Sequence, residues 1–366
     1  MSAQVDIVVV GSGAAGIAAA VTAARTGANT LLMDRNPIAG GTGGFSGLTT
    51  LCGLHTDSGQ FLNDGFAREF AEELLREDNP GEPFKMGRVF VQLYRPESFQ
   101  AVAARLLANE ARIQTQWNTS LNEVIVRDGL IQSLNGLRVG AVIDCTGTAE
   151  VGRTAGEELL VTDETTQSPA VIFKLENVER DLRSPIGVAM VLLHLAHAGL
   201  PPLSFMPCVD PGTVAVKFSG PPAQVPRLLE FLQQQVSGFE RCRTPQTDFT
   251  VARRSGAMIV GRYVLTGDDV LRARKFPDAV ARGSWPVEQW SADGRQSIRY
   301  LPPGEFYEIP AGALHAARTE NLFMAGKSLS ADVEAVASAR VIGCCLATGA
   351  AVGKLAAESL PAARTA

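Results

Sequence analysis

No basic tract runs through this sequence. Its 33 lysines and arginines are mixed among 38 aspartates and glutamates, for a net charge of −5. That absence excludes the electrostatic footprint of a nucleic-acid binder or of a protein held on an anionic membrane surface. Long hydrophobic runs are also missing. The longest, IGVAMVLLHLAHAGL from Ile186, is too short to span a bilayer and carries His194 and His197. The six cysteines, at 52, 145, 208, 242, 344 and 345, form no C-x-x-C pair. This excludes a disulfide framework and a zinc ribbon, so reduced thiols and no metal are expected. No charged-then-apolar leader precedes the first strand, and the expectation is a soluble cytoplasmic protein. Internal repeats are not visible. With 46% hydrophobic and 19% charged residues over 366 positions, global disorder is excluded and two domains fit the length.

What is present begins at VDIVVVGSGAAGIAAAVTAARTGANTLLMDR, residues 5 to 35. Gly11, Gly13 and Gly16 give G-x-G-x-x-G directly after an apolar strand. The first glycine allows the tight turn, the second lets the backbone approach a pyrophosphate, and the third lets the following helix pack closely on the sheet. The helix then turns its N-terminal amides toward the phosphates. TLLM forms a second parallel strand ending at Asp34, where a carboxylate accepts from a ribose and repels a 2′-phosphate. The unit binds a dinucleotide, and by itself does not separate NAD from FAD.

Three later features separate them. GAVIDCTG, residues 140 to 147, is a buried strand ending in Asp-x-Thr-Gly. From Glu320, ENLFMAGKSLSADVEAVASARVIGCCLATGAAVG reads as a strand, an Ala-Gly turn and one long helix of small residues. No second G-x-G-x-x-G follows a strand, so no separate nicotinamide domain is evident. Together these segments resemble the FAD-dependent oxidoreductases of the glutathione-reductase-like two-domain class. More narrowly, they resemble a bacterial family labelled FAD-dependent oxidoreductase. MIVGRYVLTGDDVLRARKFPDAVARGSWPV from Met258, FYEIPAGALHAARTENLFMAGKSLS from Phe306 and SARVIGCCLATGAAVG from Ser338 carry the narrower likeness.

The resemblance implies FAD as cofactor and an α/β fold: a Rossmann-like FAD-binding domain with a parallel sheet, plus an inserted α+β substrate domain. It implies that Gly11, Ser12, Gly13, Ala14, Ala15 and Gly16 meet the pyrophosphate, with Asp34 and Arg35 at the ribose. Gly40, Gly41, Thr42 and Gly44 would wrap the ribityl chain, and Thr146 and Gly147 would close the cofactor from the side. Gly326 would contact the pyrophosphate–ribityl region. The helix starting between Asp332 and Val336 would aim its N-terminus at the flavin pyrimidine, where reduced flavin gathers negative charge.

The chain also departs from the family pattern. An arginine-rich RESRR becomes RRSGAM at 253 to 258, retaining Arg254 and placing Ala257 and Met258 at the later arginine positions. An acid-x-His becomes Glu288, Gln289, Trp290. AGR becomes AGK at Lys327, and DATGDGD becomes DCTGTAE. The cofactor scaffold carries over better than a substrate site, which points to a substrate different from those of relatives.

Residues 1–152 and 308–366 are expected to form the FAD domain and 153–307 the substrate domain, with a loose tail at PAARTA. Residues 45–95 are expected to line the re face or roof the active site. His55 in that segment is a candidate base, and Cys52 a candidate covalent flavin link or a buried spectator. Arg253 and Arg254 suit a carboxylate clamp or a surface pair. Arg299, Tyr300 and Tyr307 precede the last FAD segment and are candidates to point inward. Glu334 suits a cap or a flavin contact, His194 and His197 suit the core or an interface, and His315 is a weak candidate. The function expected is a dehydrogenase or oxidase removing a hydride from a small organic substrate, with amine or amino-acid-like compounds ahead of alcohols. The alternatives are a flavin monooxygenase fed by NAD(P)H, and an FAD subunit relaying electrons to a partner chain. A homo-oligomer is left open, and neither nucleic acid nor a membrane span is expected.

Overall fold

The computed structural model describes residues 5–162, 167–182, 184–247, 249, 251–291 and 295–361. The expected loose tail lies outside them except for Pro361. Five parallel strands form the main sheet, in the order Leu322–Met324, Ala141–Asp144, Ile7–Val10, Thr30–Met33, Ile113–Gln116. Ile7–Val10 is central and buried on both faces, which accounts for its unbroken β-branched run. Ile7 and Val9 point into the helical layer. Val8 and Val10 point into a second core capped by an antiparallel meander, Val124–Arg127, Leu130–Leu134 and Leu137–Arg138.

The helical layer is dominated by the contact between Ala14–Arg25 and Ile342–Glu358. A Cβ placed on Gly349 would lie 2.2 Å from the carbonyl oxygen of Ala15, and one on Gly353 would lie 2.4 Å from that of Ala19. The alanine-rich face of the first helix and these two glycines therefore let the backbones touch, which larger side chains would prevent.

The expected single C-terminal helix is two. Val333–Ala339 and Ile342–Glu358 meet at a 95° bend around Arg340 and Val341. No single described helix is long and apolar enough to cross a membrane.

A separate antiparallel sheet has the order Ser204–Pro207, Val214–Phe218, Ala170–Leu175, Val251–Ala252. Its outer face packs under the helices Pro185–His197 and Val225–Gln235 through Val171, Phe173, Val216 and Phe218. Its inner face, with Ile172 and Ala215, turns toward Leu48 in the flavin-proximal part of the chain. Lys217 pairs with Ile172 across this sheet, so it also belongs to the inner face.

Some pairings cross the expected domain limits. Leu159–Thr162 pairs with Gly256–Ile259, and Ala257 and Ile259 enter the core beneath the parallel sheet. Ala279–Gly283 pairs with Tyr307–Pro310, straddling residue 308. The histidines of Pro185–His197 are not core residues. His194 is only partly covered, bonding the Met190 carbonyl at 2.6 Å, and His197 is exposed. The helix buries Val191 and Leu195 and leaves Ile186, Met190 and Leu193 in solvent.

Candidate functional site

The glycine turn sits at the C-terminal ends of the parallel strands. Gly16 is forced by its surroundings, since a Cβ there would fall 1.7 Å from the Gly11 carbonyl oxygen. Residues 40–44 fold back onto the turn. The Gly40 amide donates to Ser12 at 3.0 Å, and a Cβ on Gly41 would lie 2.6 Å from the Gly13 Cα. Gly41–Phe45 is a short helical turn rather than an open wrapping loop. Tyr94 and Gln100 fix it, donating to the carbonyls of Gly43 and Gly44 at 3.0 and 2.9 Å.

Asp34 behaves differently from expectation. One oxygen accepts from the Ser12 amide at 2.5 Å and hydroxyl at 2.7 Å; the other accepts from the Asn36 amide and side chain at 2.8 and 2.9 Å. Four bonds fill the acceptor capacity of a carboxylate. As placed, Asp34 organises the turn and has no lone pair left for a ribose hydroxyl, while Arg35 beside it is exposed.

The opposite wall is organised by Asp144, which is fully buried. It accepts from the Thr146 amide and hydroxyl at 3.0 and 2.7 Å, from Ser328 at 3.0 Å, and from the amides of Val151 and Gly152 at 2.9 and 3.2 Å. Ser328 in turn accepts from the Gly147 amide at 3.1 Å. Thr146–Gly147 and Gly326–Ser328 are thus one unit. Sequence reasoning named the Thr-Gly pair and passed over the aspartate that holds it.

The flavin-facing helix start also needs correction. Asp332 caps Val333–Ala339, accepting from the amides of Glu334 and Ala335 at 3.0 and 2.7 Å, and Val336 is buried. That helix end is already satisfied. The next helix starts at Ile342 after Val341, with no side-chain cap. Its first turn touches the backbone of Cys52 and Gly53, since a Cβ on Gly343 would lie 2.6 Å from the Gly53 carbonyl carbon. Free amides at a helix N-terminus suit negative charge, so the Ile342 helix, rather than the Val333 helix, has the end suited to the flavin pyrimidine.

The residues fit FAD. A glycine turn packed on a second glycine segment, a wall tied by Asp144 and a helix start without a side-chain cap together give the close backbone approach and free donors that a dinucleotide needs. Gly11 to Gly16, Gly40 to Gly44, Thr146, Gly147 and Gly326 would hold the cofactor.

Beside this cradle, two of the departures noted in the sequence, Trp290 and Lys327, stand near the retained Arg254. Trp290 is 4% exposed. Lys217 and Arg254 stack on its ring at 4.5 and 4.7 Å from the centroid. Its indole N–H donates to Glu288 at 2.7 Å, and Gln296 and Trp285 donate to the same carboxylate at 2.9 and 3.2 Å. Lys217 lies 3.8 Å from Glu288. Despite burial, Lys217 and these donors hold Glu288 down to about 2. Arg340 donates to Gln167 at 3.4 Å, while its Nε is buried with no partner. Lys327 bonds the carbonyls of Arg253 and Ser255 at 3.3 and 3.4 Å, and burial lowers it to about 8. Arg254 donates to the Ser168 carbonyl.

The other candidates are placed as follows. Tyr307 does not point into a cleft; it is fully buried, with its hydroxyl 2.9 Å from Ser338. Burial pushes the Cys52 thiol up to about 12, leaving it a poor nucleophile. His55 and Tyr300 line one small cleft, of about 20 Å³, with Asp57, Arg88, Trp285 and Glu305. Burial keeps His55 below its ordinary value, and its Nδ1 has no partner. Arg299 and Glu334 pair with each other at 2.5 Å. His315 stacks on Phe323 at 4.4 Å. Arg253 is exposed, whereas Arg254 is partly buried against Trp290. Lys217 and Gln167 belong to no recognisable motif, and Arg340 stands inside SARVIGCCLATGAAVG without having been singled out. The only sequence trace of this cluster was the altered positions at 290 and 327, beside the retained Arg254 and Glu288.

This fold and cradle define an FAD-binding flavoprotein. The model of the FAD dependent oxidoreductase family matches residues 6–204 and 206–365, and the chain belongs to that family, with FAD as its cofactor. Among solved structures, a geranylgeranyl bacteriochlorophyll reductase-like protein of Thermoplasma acidophilum superposes with a TM-score of 0.54. Identity is 15%, over 97% of this chain and 78% of that one. The flavin-dependent brominase Bmp2 gives 0.50 at 12% identity, over 97% and 79%. No curated protein matches the sequence.

Proposed function

We propose that the chain is an FAD-dependent enzyme whose flavin is reduced by NAD(P)H and then acts on a small organic substrate, as in a flavin monooxygenase or reductase. The observation that carries this reading is the character of the groups beside the cradle. Cations and hydrogen-bond donors dominate there. Glu288 is held ionised by Lys217, and the Cys52 thiol is held protonated. Such a site binds and polarises; it is poorly equipped to take a proton from an alcohol or ammonium group. The reductase-like protein and the brominase that share the fold fit this alternative better than amine or alcohol dehydrogenation.

When bound, FAD supplies the hydride and electron-transfer chemistry. The chain's own groups position the substrate against it, and the uncapped Ile342 helix start favours negative charge at the pyrimidine edge. A substrate dehydrogenase is the second reading, and one observation favours it. Lys327, lowered by burial to about 8, is a group of the cluster able to exchange a proton at mildly alkaline pH.

The deciding experiment is anaerobic bleaching of the flavin band near about 450 nm. Rapid bleaching by NADH or NADPH supports the first reading. Bleaching by amines or hydroxy acids, with none by nicotinamide, supports the second.

A further inference from the structure

We infer that the cluster of Lys217, Arg254, Lys327 and Arg340 around Trp290 is the substrate-anchoring site, and that it takes an organic oxyanion, a carboxylate or phosphate group on a small molecule. The inference rests on the reading above that the flavin acts on a small organic substrate, and it narrows that substrate's chemistry.

Charge is the first argument. Four cationic side chains meet in a partly or largely buried region, and among the described residues only Glu288 pairs with them as a carboxylate. Glu288 also accepts from Trp290, Gln296 and Trp285, so one carboxylate is shared among these donors and Lys217. Buried cations are ordinarily paired, and here three are left without an anion. The carbonyls of Ser168, Arg253 and Ser255 and the amide of Gln167 hold their geometry without neutralising them.

A second, independent observation points the same way. The Arg340 Nε is buried and bonded to nothing. A guanidinium in a dry site normally uses its fork on a planar or tetrahedral oxyanion. Position is the third argument. Arg340 stands at the bend immediately before the uncapped Ile342 helix, and Lys327 follows Gly326 of the cradle wall. Lys217 and Arg254 come from the inner side of the other sheet. An anion held between them would present the rest of its molecule toward the cradle.

The test uses FAD-loaded protein at constant ionic strength. Benzoate, succinate and phenyl phosphate are titrated against benzamide as the neutral control, with tryptophan fluorescence and the flavin band as readouts. Saturable binding of at least one anion, with no response to benzamide, is expected. The anion that saturates at the lowest concentration identifies carboxylate or phosphate as the preferred group. Arg254→Gln and Lys217→Gln are expected to weaken it about tenfold each, as loss of a charge-assisted bond does, while FAD content stays unchanged. Arg254→Lys should recover part of the loss.

Flavin present with no saturable anion binding would overturn the inference and leave the FAD reading intact. So would equal binding of benzamide, or variants that shed FAD and still bind the anion normally. Absence of flavin from the purified protein would instead strike at the cofactor reading. The comparison of benzoate with benzamide needs no variant, so a misfolded substitution does not remove the test.

Discussion

Asp144 and Ser328 stand 184 residues apart and share a 3.0 Å hydrogen bond. Through it the end of one parallel strand holds the turn that follows its neighbour, and the two segments form a single wall of the cofactor cradle. Asp144→Asn preserves shape but sets an amide N–H against backbone and hydroxyl donors. It should destabilise the fold by about 3 kcal/mol, the scale for losing charged acceptor bonds in a buried site. The check is urea denaturation together with the ratio of flavin to protein absorbance; both should fall.

Gly349→Ala should separate the two packed helices. The added methyl would meet the Ala15 carbonyl at 2.2 Å, and backbone cannot rotate away as a side chain can. A loss of about 1–3 kcal/mol is expected from overpacking, read from thermal unfolding. Because Ala15 lies in the first turn of the helix that faces the pyrophosphate, FAD affinity should drop as well.

Cys52 should carry no flavin. With its thiol pushed up to about 12, it is almost wholly protonated at pH 8. Acid precipitation should release the yellow colour into the supernatant, and Cys52→Ala should retain full flavin content. Colour remaining in the pellet of the native protein and lost in the variant would contradict this.

Lys327 makes stability depend on alkaline pH. Its folded value of about 8 lies below the ordinary lysine value of 10.5, so the unfolded chain binds more protons between them. Stability therefore rises as pH goes from about 8 toward about 10.5. The penalty for keeping the side chain charged is fully present below that window. Lys327→Met should flatten the rise, as measured by denaturation midpoints across the range.

Much of the fold was legible because its signals are local. The glycine spacing, the apolar strands and the acid at Asp34 lie within thirty residues of one another, and each has one physical reading. Asp34 itself shows the limit, since nothing in its spacing tells that Ser12 and Asn36 consume its oxygens. The break at Arg340 was hidden for another reason. ASARVIG contains neither proline nor an internal glycine before the bend, and propensity alone continues the helix. Tyr307 was misread because nearness to the cofactor segment in sequence says nothing about which way a ring points. The cation cluster was least visible, as its members come from a strand, loops and a helix junction spread from Lys217 to Arg340. Only Arg254 and the altered family positions at 290 and 327 hinted at it.

The contact between the Ala14 and Ile342 helices has a consequence for biogenesis. The glycine turn at Gly11 leaves the ribosome well ahead of the strand at Leu322 and the helix that backs it. Throughout synthesis the early alanine-rich helix lacks its partner, and the cradle has only one wall. Capture of FAD is thus a closing event of folding rather than a nucleus for it, and stalled nascent chains ending before Gly349 should remain colourless in the presence of the vitamin-derived cofactor.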